Sequence, residues 1–272
     1  MKNPLETDNF DNVESNITVI RKDNVAILEF SPGHYNNPFS AKRMRILKRI
    51  VDDLNQNSKI RTIILYGGKN NSFSVGGDFN ETSNFSNSTD VITWIDDVTE
   101  VYLSILNSKI PIIACVEGYS IGFGLQLALL CDYRIGATNC KLQMPEFKMG
   151  ISCNFGGLIL EKTVGRSLMQ KMLFDCEIIE GKVAEHLGLL HKTHAQDIVF
   201  EKTLEFAQKL ALYPETVVTE TKASINREFI SDIEKLNSIA KNSHVKGFAE
   251  GIAQKNMKNI ITNRQKQSNC KS

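Results

Sequence analysis

Three short segments of this chain carry residues whose types and spacing suit acid/base and oxyanion chemistry: Phe73-Ser-Val-Gly-Gly-Asp-Phe-Asn-Glu81, Gly118-Tyr-Ser-Ile-Gly-Phe-Gly-Leu-Gln-Leu127 and Met144-Pro-Glu146. The first two follow apolar, strand-like runs, and their glycines let the backbone approach a ligand closely. The second also sits at a strand-to-helix junction, where free N–H groups and the helix dipole favour developing negative charge. The third supplies one carboxylate, Glu146, whose apolar neighbours Met144 and Phe147 favour a raised pKa and hence acid/base work. Two backbone N–H groups aimed at a carbonyl oxygen beside one acid/base group are the equipment for stabilising an enolate, which points to an enzyme acting on a thioester.

Taken singly, each feature has a plainer reading. Gly76-Gly77 is equally a turn, and a lone Glu is usually a solvated surface residue. Gln126, one turn into the helix that follows Gly122, faces either the N–H groups or the core. Trp94, the single tryptophan, falls on an amphipathic helix but off its apolar stripe, where packing is the commoner role. His244, in the terminal helix, reads as a surface residue. His186, His191 and His194 lack metal-ligand spacing, so no metal is expected. The chain has no GxGxxG or GxxxxGK[ST] motif, and Gly118-Tyr-Ser-Ile-Gly122 fits GxSxG only superficially, because its serine precedes the turn. Hydride transfer, NTP hydrolysis and serine hydrolysis are therefore set aside.

The elements that must position these residues follow from periodicity. Ile17–Ile20 and Val25–Phe30 read as two strands around a polar turn, followed by a turn-rich loop from Ser31 to Pro38. Ser40 is a candidate N-cap for a helix with Met44, Leu47, Ile50, Val51 and Leu54 on one face. Strands are expected at 60–66, 110–116, 132–137 and 141–144. A helical stripe of Ile92, Ile95, Val98, Tyr102 and Ile105 lies among them, and a short helix starts near Gly122. Strand–helix–strand order implies parallel, right-handed crossovers. Beyond about residue 155 the pattern is almost wholly helical, at 157–165, 167–176, 181–189, 198–213, 215–226 and 230–255.

Composition narrows the class further. The 272 residues are 42% hydrophobic, enough for a sizeable core, and 32 basic against 31 acidic residues leave a net charge of +1, which favours neither nucleic acid nor an anionic membrane. Six cysteines, at 115, 131, 140, 153, 176 and 270, form no CxxC pair, as expected for reduced thiols. A polar, acidic N-terminus and the lack of a membrane-length apolar run lead to the expectation of a soluble cytoplasmic protein. The expected division is a flexible start at 1–14, a core at 15–197, a helical oligomerisation region at 198–262 and a flexible tail at 263–272. The long apolar-striped final helix is expected to pack on a second copy.

On its Gly-Gly-Asp loop, Val116-Glu-Gly-Tyr-Ser-Ile-Gly-Phe-Gly124, Cys131-Asp-Tyr-Arg134 and Met144-Pro-Glu146, the chain resembles the crotonase (enoyl-CoA hydratase/isomerase) superfamily from about Ile17 to about residue 255. The resemblance implies an α/β fold, a repeated ββα spiral core followed by helices used for trimerisation, and a homotrimer or hexamer. It also implies a coenzyme A thioester as substrate with no permanently bound cofactor, and an oxyanion hole made by the Gly77 and Phe123 N–H groups. Hydratases of that family carry two glutamates, and Gln126 stands where the first would be, leaving Glu146 alone. An amide does not exchange protons as a carboxylate does, which argues against efficient hydration.

Within the family the pattern is most similar to the carboxymethylproline synthase branch of carbapenem biosynthesis. That likeness rests on Asn37-Pro-Phe-Ser40, Phe73–Glu81, Trp94-Ile-Asp96, Gly118–Gln126, Met144–Glu146, Gly150–Cys153 and His244. It implies that malonyl-CoA is decarboxylated, that the enolate attacks pyrroline-5-carboxylate, and that the thioester is hydrolysed. In it Glu146 orients the enolate or the imine, Gln126 bonds substrate polar groups, Trp94 walls the pocket and His244 contacts the second substrate's carboxylate. The alternatives are a Δ3,Δ2-enoyl-CoA isomerase or hydratase-like enzyme, a malonyl- or methylmalonyl-CoA decarboxylase, and a catalytically silent scaffold.

Overall fold

The computed structural model of the protein describes residues 6–8, 17–30 and 36–269. Strands β1 (Glu6–Asp8), β2 (Thr18–Lys22) and β3 (Val25–Glu29) pair antiparallel. Helix α1 (Ala41–Leu54) then crosses to β4 (Thr62–Tyr66), which runs parallel to β3. A single turn α2 (Phe79–Thr82) and the long α3 (Ser88–Asn107) lead to β5 (Ile112–Val116), parallel to β4. A short β6 (Tyr119–Ile121), α4 (Phe123–Leu130), β7 (Tyr133–Ala137) and β8 (Lys141–Gln143) follow. After α5 (Glu146–Met149), α6 (Asn154–Val164), α7 (Arg166–Asp175), β9 (Ile179–Glu180), α8 (Gly181–His186) and β10 (Lys192–His194), the chain ends in α9 (Val199–Leu210), α10 (Glu215–Ala249) and α11 (Ile252–Asn269).

The larger sheet has the order β1-β2-β3-β4-β5-β7-β10, parallel from β3 onward. Its central strands β4 and β5 are buried along their whole length, which is why Ile63-Ile-Leu65 and Ile112-Ile-Ala-Cys-Val116 show no apolar/polar alternation. Ser40 caps α1 as its type predicts, its hydroxyl accepting from the Arg43 N–H at 3.3 Å. Helix α9 packs on the sheet, with Phe200 against Tyr66 at a ring separation of 4.5 Å. Helix α10 is tied in through Lys222, whose ammonium reaches Asp132 Oδ2 at 2.6 Å and the Ile110 carbonyl at 3.1 Å.

The smaller sheet, β6-β8-β9, positions the chemistry. β6 and β8 run parallel with Ile121 opposite Gln143, and the Gly122 N–H donates to the Gln143 carbonyl at 2.9 Å. Two strands leaving a parallel pair in register deliver their next residues side by side. Phe123, the first residue of α4, and Glu146, the first of α5, are therefore neighbours.

Several expected boundaries differ. The helices expected at 215–226 and 230–255 are one 35-residue helix, α10, because Arg227-Glu-Phe229 contains no helix breaker; the break falls at Gly251, where φ is +73°. Helix α11 continues to Asn269, so residues 263–269, expected as a flexible tail, are helical; their Lys, Arg and Gln are good helix formers, and polarity is not disorder. The helix expected at 181–189 stops at His186, ahead of Gly188 at φ +81°. Strands β6, β9 and β10 are two or three residues long, too short for a period to register. Most of the 1–14 segment and the Ser31–Tyr35 part of the loop lie outside the described residues. Among the described residues no helix is long and apolar enough to cross a membrane.

Candidate active site

Gly77, Trp94, Phe123, Gln126, Glu146 and His244, the six residues singled out by sequence, all line one narrow cavity of about 90 Å³. They come from the β4–α2 loop, α3, α4, α5 and α10, so the helices after residue 198 complete a cavity that the core begins. His244, which its sequence setting alone places on the surface, is buried: α10 turns this face onto α3 and α6, and the imidazole edge meets the Trp94 ring at 5.9 Å.

The two glycine loops face each other. Phe73 N–H bonds Glu117 O at 2.9 Å, Ser74 N–H bonds Tyr119 O at 3.0 Å and Ile121 N–H bonds Ser74 O at 2.9 Å. A side chain on Gly76 would begin 3.5 Å from the Phe123 nitrogen, so the N–H groups of Gly77 and Phe123 lie in adjoining walls of the cavity. Neither has an acceptor among the described residues. Gly122 has φ +54° and ψ −122°, a conformation L side chains rarely adopt, and its α-carbon faces Glu146 Oε1. That bend starts α4 with the Phe123 N–H at its free N-terminus.

Glu146 is nine-tenths buried, and burial raises its pKa to about 7; its own backbone N–H, the Gln126 amide and the neighbouring Cys153 thiol offset part of that rise. Gln126 Nε2 donates to Glu146 Oε1 at 2.9 Å, while Oε2 has no partner among the described residues. The carboxylate thus has one oxygen anchored by the amide and one buried oxygen without a partner among the described residues, on a residue that lines the cavity. Gln126 faces the site and not only the core. Its carbonyl accepts from the Tyr102 hydroxyl at 2.7 Å, so the amide's roles are filled by protein. Gly156 makes room for this arrangement: a Cβ there would collide with Cys153 Sγ and lie 3.2 Å from Gln126 Nε2.

Trp94 forms the opposite wall, its six-membered ring 3.7 Å from the position a Gly77 side chain would take, and its indole N–H is buried without a partner among the described residues. His244 Nδ1 bonds the Ala240 carbonyl at 2.7 Å, and burial lowers its pKa, keeping the ring neutral. Burial pushes the Cys153 thiol well up, which makes it a poor nucleophile. Sequence reading missed Tyr102 and Cys153 as parts of the site. Tyr102 was legible in principle, since a tyrosine in an apolar helical stripe needs a buried partner for its hydroxyl.

The geometry places two unpartnered backbone N–H groups and one buried carboxylate on a single small cavity. The chain matches the Enoyl-CoA hydratase/isomerase family over residues 21–268. It belongs to that family. It is 34% identical over 239 residues to the carboxymethylproline synthase of Pectobacterium carotovorum subsp. carotovorum, spanning 88% of this chain and 96% of that protein. It is 28% identical to the human mitochondrial methylglutaconyl-CoA hydratase, over 77% of this chain and 63% of that protein. Among solved structures, ThnE from S. clavuligerus is 36% identical with a TM-score of 0.74, covering 88% of this chain and all of that one. An enoyl-CoA hydratase/isomerase from Mycobacterium paratuberculosis has a TM-score of 0.83 at 21% identity, a likeness of fold. The protein is thus a crotonase-family enzyme of acyl-CoA thioesters, with the α/β fold of two sheets and a long helical C-terminal region.

A buried charge at Glu146 works against stability. Its folded pKa lies above the unfolded value near 4.5, so between those pH values the folded state binds more protons than the unfolded one, and stability falls as pH rises from about 4.5 to about 7. Above pH 7 the penalty is complete, on the order of 3 kcal/mol. Glu146→Gln should therefore melt several degrees higher than the wild type at pH 8 and almost level with it at pH 4.5. Calorimetry at the two pH values checks this.

Proposed function

We propose that this crotonase-family enzyme acts as a carboxymethylproline synthase: it decarboxylates malonyl-CoA, joins the resulting enolate to pyrroline-5-carboxylate and hydrolyses the product thioester. The observation that carries the reading is the Gln126–Glu146 pair. The amide spends an N–H on Glu146 and its carbonyl on Tyr102, so among the described residues the cavity has Glu146 and no second carboxylate to hold and deprotonate water for hydration. A reaction that makes its carbanion by losing carbon dioxide needs no second base. The likeness to the Pectobacterium enzyme supports the same assignment.

The thioester carbonyl oxygen sits between the Gly77 and Phe123 N–H groups. As the bond from the α-carbon to the carboxylate breaks, its electron pair moves toward that oxygen and carbon dioxide departs. The enolate carbon then attacks the imine carbon, whose electron pair passes to the protonated imine nitrogen. Glu146 Oε2 faces the reacting atoms, holds the two partners in register and, when ionised, takes a proton from water in the hydrolytic step. Trp94 closes the acyl end, its free indole N–H offering a donor, and His244 lies beside it to meet the second substrate's carboxylate. The cavity of about 90 Å³ suits a short acyl group, which favours this reading over an isomerase of long enoyl chains.

Mass spectrometry of incubations with malonyl-CoA and pyrroline-5-carboxylate should show carboxymethylproline and free CoA; hydration of crotonyl-CoA with malonyl-CoA untouched would reject the assignment. The enzyme works as a trimer or a dimer of trimers assembled through the helical region at 198–262, where Leu212, Val217, Ile225 and Ile239 are exposed. Light scattering should give three or six times the chain mass, and a monomer at micromolar concentration would contradict it.

A further inference from the structure

Tyr102 is fully buried in α3, its ring stacked on Phe123 at 5.7 Å, and its hydroxyl contacts a single polar group among the described residues, Gln126 Oε1 at 2.7 Å. A buried phenol must donate its proton somewhere, and among the described residues the acceptor it finds is that carbonyl. Because the carbonyl is thereby spoken for, the amide can present only its NH2 group to Glu146, which it does at 2.9 Å. An amide free to flip could instead turn its oxygen to Glu146 and accept a proton from the carboxylic acid. Gln126→Glu146 polarity is thus decided one residue further back.

We propose that Tyr102 is a positioning residue that locks the Gln126 amide with its N–H toward Glu146, favouring the ionised carboxylate and leaving Oε2 as the oxygen offered to substrate. This rests on the reading that ionised Glu146 is the working form, but its test needs no substrate. The groups that face Glu146 are Tyr102 from α3, Gln126 from α4, Cys153 ahead of α6 and His244 from α10 across the cavity; Cys176 lies behind Cys153, and Lys148 on Glu146's own helix is turned away to the Cys176 carbonyl. Burial raises the pKa of the Cys153 thiol and lowers that of His244, which favours the neutral form of each, so neither competes with the amide for the charge.

Infrared titration of the full-length protein isolates the Glu146 carboxyl band, identified by its loss in Glu146→Gln. Tyr102→Phe should raise the midpoint of that band by about one pH unit. In a Gln126→Leu background the same change should leave it unmoved, since the route through the amide is gone. Replacing Tyr102 with 3-fluorotyrosine, a stronger donor of nearly the same shape, should shift the midpoint down and keeps the test available if the Phe variant does not fold. An unchanged midpoint in Tyr102→Phe or the 3-fluorotyrosine protein, or an equal shift with and without Gln126, overturns the proposal. Failure to form carboxymethylproline would bear on the assigned reaction and not on this lock.

Discussion

Phe123→Pro is expected to turn over malonyl-CoA about 10²–10³-fold more slowly than Phe123→Ala, with similar binding of the free CoA thioester analogue. The comparison tests the N–H, which proline replaces with a ring carbon. Both variants lose the ring that packs between Phe39 and Tyr102, at 5.3 and 5.7 Å, so both carry the same packing defect. Only proline removes the donor. Position 123 is the first residue of α4, where proline is well tolerated, because that N–H has no partner within the helix and the ring's fixed φ suits a helix start. The preceding residue is Gly122, which has no Cβ to clash with the proline ring. Steady-state decarboxylation rates of the two variants, read beside their melting temperatures, decide the matter. Equal rates would remove the Phe123 N–H from the oxyanion hole.

The second large effect is a change of product. Decarboxylation needs stabilised charge on the thioester oxygen, whereas carbon–carbon bond formation also needs the enolate and imine held in register. Glu146→Ala keeps both N–H donors and loses the carboxylate, so condensation should fall by about 10²–10⁴-fold, with decarboxylation spared more. Acetyl-CoA should then accumulate where the wild type makes carboxymethylproline. Quantifying both products by mass spectrometry checks it: equal loss of the two would make Glu146 part of a shared first step, and intact condensation would remove it from the mechanism. The wild type's hydrolytic release of CoA should also slow as pH falls below about 7, where Glu146 takes up its proton and can no longer take one from water.

Much of this enzyme was legible in the sequence, for local reasons. The buried parallel strands announce themselves as unbroken apolar runs, Ser40 marks the start of α1, and the glycines mark the two loops whose backbones approach each other closely. Gln126 in place of an acid, with Glu146 as the one remaining carboxylate, could be read directly, because side-chain chemistry does not depend on the fold.

Direction and company could not be read. Whether Gln126 faces the cavity or the core, and that its carbonyl is taken by Tyr102, follow from how α3 packs against α4, a contact between residues 24 apart in the chain. His244 reads as a surface position until α10 lays it beside Trp94, on a helix whose continuity past residue 226 no cap or breaker signals. The neighbouring placement of Phe123 and Glu146 comes from the register of β6 on β8, two strands of three residues each, too short to carry a periodic signal. The pKa of Glu146 is likewise a tertiary property. Its rise to about 7 is mainly the cost of desolvating a charge, and that burial comes from elements far apart in sequence closing over one carboxylate.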